Sequence, residues 1–286
     1  KDRKRAQELL AAEFTETALK TLQREPGCKL RSANPKEVPV LRKTLEDENI
    51  PCYEADIPFT TRFLIDHDIF TDIDIQGTPQ KAPFTGTLYT DATLEPEHSS
   101  ATFQTLSFDI ETTADAQKIL SIALKQGEYE EVLVIYGPQF KEVTFPKMTL
   151  VEDEEELLEL FLARIQEQDP DIITGWNVID FDLAVIAKRA KHYNIPFVLG
   201  RDESTTSLRI EQNYFRDSKV YCHGRIVLDG IHLLKSNFVK LDDYKLNTAA
   251  KKFLDDRKLI EEDDRFSIIH DAYENNPQLF LEYNLK

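Results

Sequence analysis

Between residues 105 and 137 the apolar and polar positions fall into three short strand-like segments, "TLSFDIET", "KILSIALK" and "EEVLVIYG". In the first of them the alternation has period two, the mark of a strand with one buried face. The period then changes. Glu152–Gln168 opens on acidic residues and continues with apolar residues at helical spacing, which predicts a helix. "DIITGWN" reads as a buried strand, Asp180–Tyr193 as a helix and "GRIVLDGIHLL" as a further strand. Helices are expected over Tyr244–Leu254 and along the C-terminal stretch. Three meandering strands followed by alternating helices and strands make a mixed sheet covered by helices, so this half is α/β.

The first hundred residues follow another pattern. Ala6, Leu9, Leu10, Phe14, Ala18 and Leu22 form an apolar stripe that predicts one helix over Lys4–Gln23. A second helix is expected over Val38–Glu48, then a short strand at Ile50–Ala55 and a β-like "DIDIQG". That hexapeptide has the D-x-D of a calcium loop, but Pro83 stands where the closing glutamate belongs, so it is rejected as a calcium site. The turn-rich "EPEHSSATFQ", Glu95–Gln104, marks a boundary between a smaller α+β N-terminal domain (1–102) and the α/β domain (103–286).

The chain has 286 residues, 41% hydrophobic and 30% charged, the balance of a globular protein. No apolar run approaches the ~20 residues of a membrane span, so no membrane contact is expected, and the N-terminus lacks the apolar core of a secretory signal. Three scattered cysteines without C-x-x-C fit reduced thiols and a cytoplasmic location. The formal charge of −17 works against broad nucleic-acid binding. A nucleic-acid reading therefore needs metal ions in the site, or a basic groove elsewhere in the protein.

Candidate chemistry sits in "LSFDIET". Leu106, Phe108 and Ile110 share one face of the strand, and Asp109 and Glu111 stand side by side on the other. Two adjacent carboxylates repel unless a cation lies between them, and hard oxygen ligands on a rigid strand suit Mg²⁺ or Mn²⁺. The plainer reading is an exposed strand face with two solvated acids, in a chain with 52 acidic residues. A second candidate is "GWNVIDFDLAVIAKRA". Asn177 ends a buried strand and Asp182 falls in the first turn of the next helix, either as an acid favoured by the helix dipole or as a ligand at a strand's carboxyl end. Phe181 suits the core or a base stack.

"FDIET" followed by "NVIDFD" resembles the first and second exonuclease motifs of family B DNA polymerases. "YEADI", "DPDIITGWNVIDFDL", "GRIVLDGI" and "YNLK" bring the match nearest to that family's bacterial polymerase II branch. It covers most of the chain, most fully from Phe103 onward, and only loosely the first fifty residues. The resemblance implies a ribonuclease-H-like 3′–5′ exonuclease domain that hydrolyses the terminal phosphodiester of a DNA strand with two divalent ions, Mg or Mn. Asp109 and Glu111 would hold the ion nearest the attacking water, and Asp109 with Asp182 the other. Tyr283 would orient that water, since its ordinary pKa of ~10 makes it a poor base. Asn177 and Phe181 would contact the terminal nucleotide, as would Thr112, for which a strand-forming role is the alternative.

The family's third motif pairs a tyrosine with an aspartate four residues on. With Tyr283 as the tyrosine, the aspartate would follow Lys286, and the chain is expected to be the N-terminal and proofreading part of a polymerase, impaired as a nuclease by that loss. A sliding clamp would contact other parts of such a parent. Asp229, on the strand face of Val227, is expected to be structural more than a metal ligand, and Trp176 to be core. Lys188, Arg189 and Lys191, with Lys251 and Lys252, are either DNA guides or solvated helix faces. No histidine lies five residues before an aspartate near the end, which disfavours exonucleases whose third motif uses histidine. Two other readings remain: a free-standing exonuclease of the same fold on DNA or RNA, and a catalytically silent nucleic-acid-binding module.

Overall fold

A computed structural model of the chain describes residues 2–10, 12–82, 86–211, 217–255 and 265–285. It divides into two compact units, Lys1–Pro79 with Tyr89–Ser100, and Gln80–Leu88 with Ala101–Lys286.

The first unit begins with α1 (Asp2–Leu9) and continues into β1 (Glu13–Lys20) and β2 (Pro26–Arg31), an antiparallel hairpin with Phe14 opposite Leu30 and Glu16 opposite Cys28. The single helix expected over Lys4–Gln23 is thus corrected to a short helix and a strand. Thr15 and Thr17 favour extended backbone, and pairing with β2 outweighs the weak helical preference of the segment. Phe14 and Leu30 pack against a small core of Ala6, Leu10, Leu45 and Ile50. Next come α2 (Val38–Asp47) and α3 (Phe59–Asp66). The strand expected at Ile50–Ala55 does not form. Ile50 instead turns its side chain into that core, and Pro51 brings no N–H to a ladder. β3 (Asp72–Gln76) runs antiparallel to β6 (Thr93–Glu97); between them in sequence the chain forms the pair β4 (Pro79–Lys81) and β5 (Thr87–Tyr89), most of which belongs to the second unit.

The second unit is built on β7 (Thr105–Thr112), β8 (Ile119–Gln126), β9 (Tyr129–Ile135) and β10 (Met148–Val151), then α4 (Glu154–Gln168), β11 (Ile172–Gly175) and α5 (Leu183–Tyr193). A small hairpin, β12 (Ser207–Arg209) and β13 (Lys219–Tyr221), precedes β14 (Ile226–Asp229), α6 (Gly230–Ser236), α7 (Leu246–Leu254), α8 (Arg265–Asn275) and α9 (Pro277–Leu285). The main sheet has the order β10-β9-β8-β7-β11-β14. β7, β8 and β9 are antiparallel neighbours, and β10, β11 and β14 add parallel to theirs. The unit is therefore a mixed α/β sheet between helices, as the alternation of elements predicts.

Each face of the sheet has its own core. Leu106, Phe108 and Ile110 of β7 pack with Leu157, Phe161 and Ile165 of α4 and with Leu183 and Ile186 of α5. On the other face Ala123, Val132 and Val134 pack with Ile269 and Tyr273 of α8 and with Phe280 and Leu281 of α9. Burial of β8 on both faces explains its nearly unbroken apolar run.

α4 and α5 are tied together and to β8 by Glu154, which is 1% exposed. Its carboxylate accepts from Arg189 Nε (2.9 Å) and Nη2 (2.7 Å), from the Ile119 N–H (2.8 Å) and from the Tyr193 hydroxyl (3.1 Å). Arg189 is thus an internal partner of a buried acid, neither a DNA guide nor part of a solvated face.

Candidate active site

β7 carries Asp109 and Glu111 on the face opposite Leu106, Phe108 and Ile110, as its alternation predicts. Asp109 is exposed and Glu111 is buried. Their cross-strand neighbours on β8 are Ala123 and Ser121. The Ser121 hydroxyl donates to Asn284 Oδ1 of α9 at 2.7 Å, so α9 lies over the Glu111 end of this face. Tyr283, also on α9, is buried with Ala123 and Val132 in the core of the same face. Thr112 is buried at a register shift between β7 and β8, and its hydroxyl donates to the Thr113 carbonyl.

The third carboxylate arrives from β11. The β7–β11 ladder reaches the pair Ser107 and Thr174, and the chain then turns away at Gly175. A Cβ on Gly175 would meet the Phe108 carbonyl oxygen at 2.7 Å and Val178 Cβ at 3.0 Å, so only glycine allows this approach beside Asp109. Asn177 follows in the left-handed region (φ 62°) and opens a π-helical turn, Val178–Asp182. Asparagine tolerates that backbone better than most side-chain-bearing residues. The expected helix over Asp180–Tyr193 is therefore a π turn running into α5, and such turns recur at functional sites. Phe181, half-buried, lies against the α4/α5 core, and its N–H donates to the Asn177 carbonyl.

Asp182 closes the turn at 2% exposure. Its Oδ1 accepts from the N–H of Ile110, the residue between Asp109 and Glu111, at 3.1 Å. Burial pushes the Asp182 carboxyl well above the ordinary aspartate value of 3.8, and repulsion from Asp109 and then Glu111 pushes the same way. The Ile110 N–H opposes both by favouring the charged form. Thus the structure brings Asp109, Glu111 and Asp182 together, and sets Tyr283 on the same sheet face as the first two. Asn177 and Phe181 lie on the turn that delivers Asp182.

Among the described residues no three carboxylate, imidazole or thiol side chains stand where together they could hold a metal ion. In the chemistry of their donor atoms alone, Asp109, Glu111 and Asp182 suit a hard divalent cation. All three groups are oxygen ligands, and the repulsion felt by Asp182 is the kind a cation relieves. A groove of about 870 Å³ beside Leu162, Gln166, Val198 and Arg201 includes none of these residues.

Three features of this site are hard to read from sequence. Gly175 is one, although a glycine between a strand and a turn hints at close approach. Ser121 is another, the one polar residue in the apolar run Ile119–Leu124 of β8. The third is the bonding of Asp229, whose carboxylate accepts from backbone N–H groups at Ile179, Ile231 and His232. Trp176, read as core, is half-buried, and its Nε1 donates to the Tyr244 carbonyl at 3.0 Å.

Gly175→Ala is predicted to cost about 1–3 kcal/mol, because the new methyl meets backbone rather than a side chain that can swing away. A thermal melt unchanged from the parent's would contradict the close approach.

Residues 50–249 match the family model described as DNA polymerase family B, exonuclease domain. The chain is 30% identical over 292 residues to DNA polymerase II of Escherichia coli (strain K12), a match covering 99% of this chain and 36% of that protein. A DNA polymerase of Archaeoglobus fulgidus is 32% identical over 199 residues, 68% of this chain and 24% of its own. The chain thus spans about a third or less of the curated relatives it matches. The structure of the family B DNA polymerase from Pyrobaculum calidifontis matches over 99% of this chain and 37% of its own, with a TM-score of 0.66 at 20% identity, a likeness of fold. No helix among the described residues is long and apolar enough to cross a membrane. A family match over residues 50–249, and a relative 30% identical along nearly the whole chain, make this chain a member of DNA polymerase family B.

Proposed function

We propose that this chain is the proofreading part of a DNA-directed DNA polymerase, hydrolysing the 3′-terminal phosphodiester of a DNA strand with the help of two divalent ions. The observation that carries the reading is the Asp182 carboxylate bonded to the N–H of Ile110, the residue between Asp109 and Glu111, inside a region that matches an exonuclease domain. Asp109, Glu111 and Asp182 would hold the ions. Mg²⁺ or Mn²⁺ bound there supplies Lewis-acid polarisation of the phosphodiester and offsets charge on the attacking and leaving oxygens.

The chain's own residues orient and exclude. Asp109, the exposed member of the trio, faces the entering strand, whereas Glu111 and Asp182 are shielded from water. Asn177 and Phe181 bind the terminal nucleotide from the turn, the first by its amide and the second by its ring. Tyr283 orients the attacking water by a hydrogen bond. Template-directed synthesis by the whole protein is supported by its relatives' names, and its DNA is the substrate of both activities.

The test is cleavage of a 5′-labelled single-stranded oligonucleotide in Mn²⁺. Stepwise shortening from the 3′ end is expected, and it should disappear after Asp109→Ala. Cleavage that survives Asp109→Ala would remove the nuclease reading.

A further inference from the structure

Asp229 ends β14, opposite Gly175 in the parallel β11–β14 ladder, and is 1% exposed. Its two oxygens serve different elements. Oδ1 accepts from the N–H groups of Ile231 (2.8 Å) and His232 (3.4 Å) and caps α6. Oδ2 accepts from the N–H of Ile179 at 3.0 Å, near the start of the π turn. The amide groups in the first turn of a helical segment lack partners within it, and a buried one left unbonded is costly. A helix cap alone would not need the second oxygen.

The turn is therefore pinned by a carboxylate at each end. At its start Asp229 holds Ile179, and at its finish Asp182 holds on to Ile110 of β7. Between them, Asp180 Oδ2 meets His232 Nε2 at 3.0 Å, a further tie from α6 to the same turn. Gly230 lets the start of α6 approach closely, since a Cβ there would lie 2.8 Å from the Trp176 ring. The backbone at Asn177, where the turn opens, is left-handed, a conformation asparagine adopts readily, so the anchors act on the turn that follows it.

We infer that Asp229 is a positioning residue, which through Ile179 fixes the turn so that Asp182 is held against β7. It contacts neither substrate nor ion in this role. The inference rests on the proposed nuclease site for its purpose, though not for its test.

The test is amide hydrogen exchange of Ile110, followed by NMR in the ion-free 286-residue chain. Asp229→Ser keeps an oxygen able to cap α6 but too short to reach Ile179. In that variant the Ile110 amide is expected to exchange at least about tenfold faster, with Ile122 and Leu124 of β8 unchanged. Unchanged Ile110 exchange in the folded variant would overturn the inference, because a residue that only caps α6 leaves that amide alone. Should the serine variant fail to fold, Asp229→Asn takes its place and is judged by the same amide, since one of its two acceptor positions becomes a donor. Faster Ile110 exchange would uphold the positioning role whatever the cleavage assay of Asp109→Ala decides about the nuclease reading.

Discussion

Asp182→Asn is expected to make the ion-free chain more stable while lowering exonucleolytic cleavage by about 10³-fold or more. The two effects have one cause. Asp182 is buried beside two other carboxylates, and burial and repulsion both raise its pKa. A group whose folded-state pKa is raised favours folding most fully below its unfolded value. That contribution is lost as pH rises through the elevated folded value. At neutral pH the unfolded carboxylate is ionised, so folding must either take up a proton or bury the charge, and both oppose it. Asparagine keeps an oxygen for the Ile110 N–H and removes the charge, so the melting temperature should rise by about 2 °C or more and lose part of its fall with increasing pH. It also removes an oxygen ligand that the cations need. Retained cleavage, or a lower melting temperature with an unchanged pH slope, would contradict this account. Function and stability pull in opposite directions at such sites.

Arg189→Met should do the reverse, costing stability without touching the reacting groups. It leaves the Glu154 carboxylate, 1% exposed, without its guanidinium partner. Breaking a buried pair from one side costs about 3–5 kcal/mol, which for a chain of this size lowers the melting temperature by roughly 10 °C. Replacing both partners, Glu154→Leu with Arg189→Met, should recover much of that loss, since no buried charge remains; the Ile119 N–H stays without its acceptor and limits the recovery. A calorimetric melt of the two variants beside the parent separates the cases, and a single variant within about 1 kcal/mol of the parent would contradict the assigned role.

The strands of the larger unit were legible because their patterns are strong. Leu106, Phe108 and Ile110 alternate cleanly, and the direction in which Asp109 and Glu111 point follows from that alone. Alternation says nothing of what crosses the sheet edge. That Asp182 would take the Ile110 N–H depends on where β11 stops, and it stops at Gly175 because backbone crowds backbone there. The π turn was equally hidden, since "NVIDFDL" carries helical spacing whether its first turn is α or π. In the first unit the stripe from Ala6 to Leu22 misled because two elements share one apparent period. Ala6 belongs to a helix and Phe14 to a hairpin, and only pairing with Pro26–Arg31 separates them. β10 has four residues at a sheet edge, too few for a period to show.

The basic clusters carry a similar lesson about charge. Arg189 looks like its neighbours Lys188 and Lys191 in a helical run, yet its side chain turns inward to Glu154. Only the pairing of α4 with α5 reveals that Glu154 needs it.

The most direct test of the central claim is a crystal structure of the chain soaked in Mn²⁺, with the ions located by their anomalous scattering. The account predicts manganese within about 2.3 Å of carboxylate oxygens from Asp109 and from Glu111 or Asp182. Manganese found only elsewhere on the molecule, with none bound by these three side chains, would contradict it.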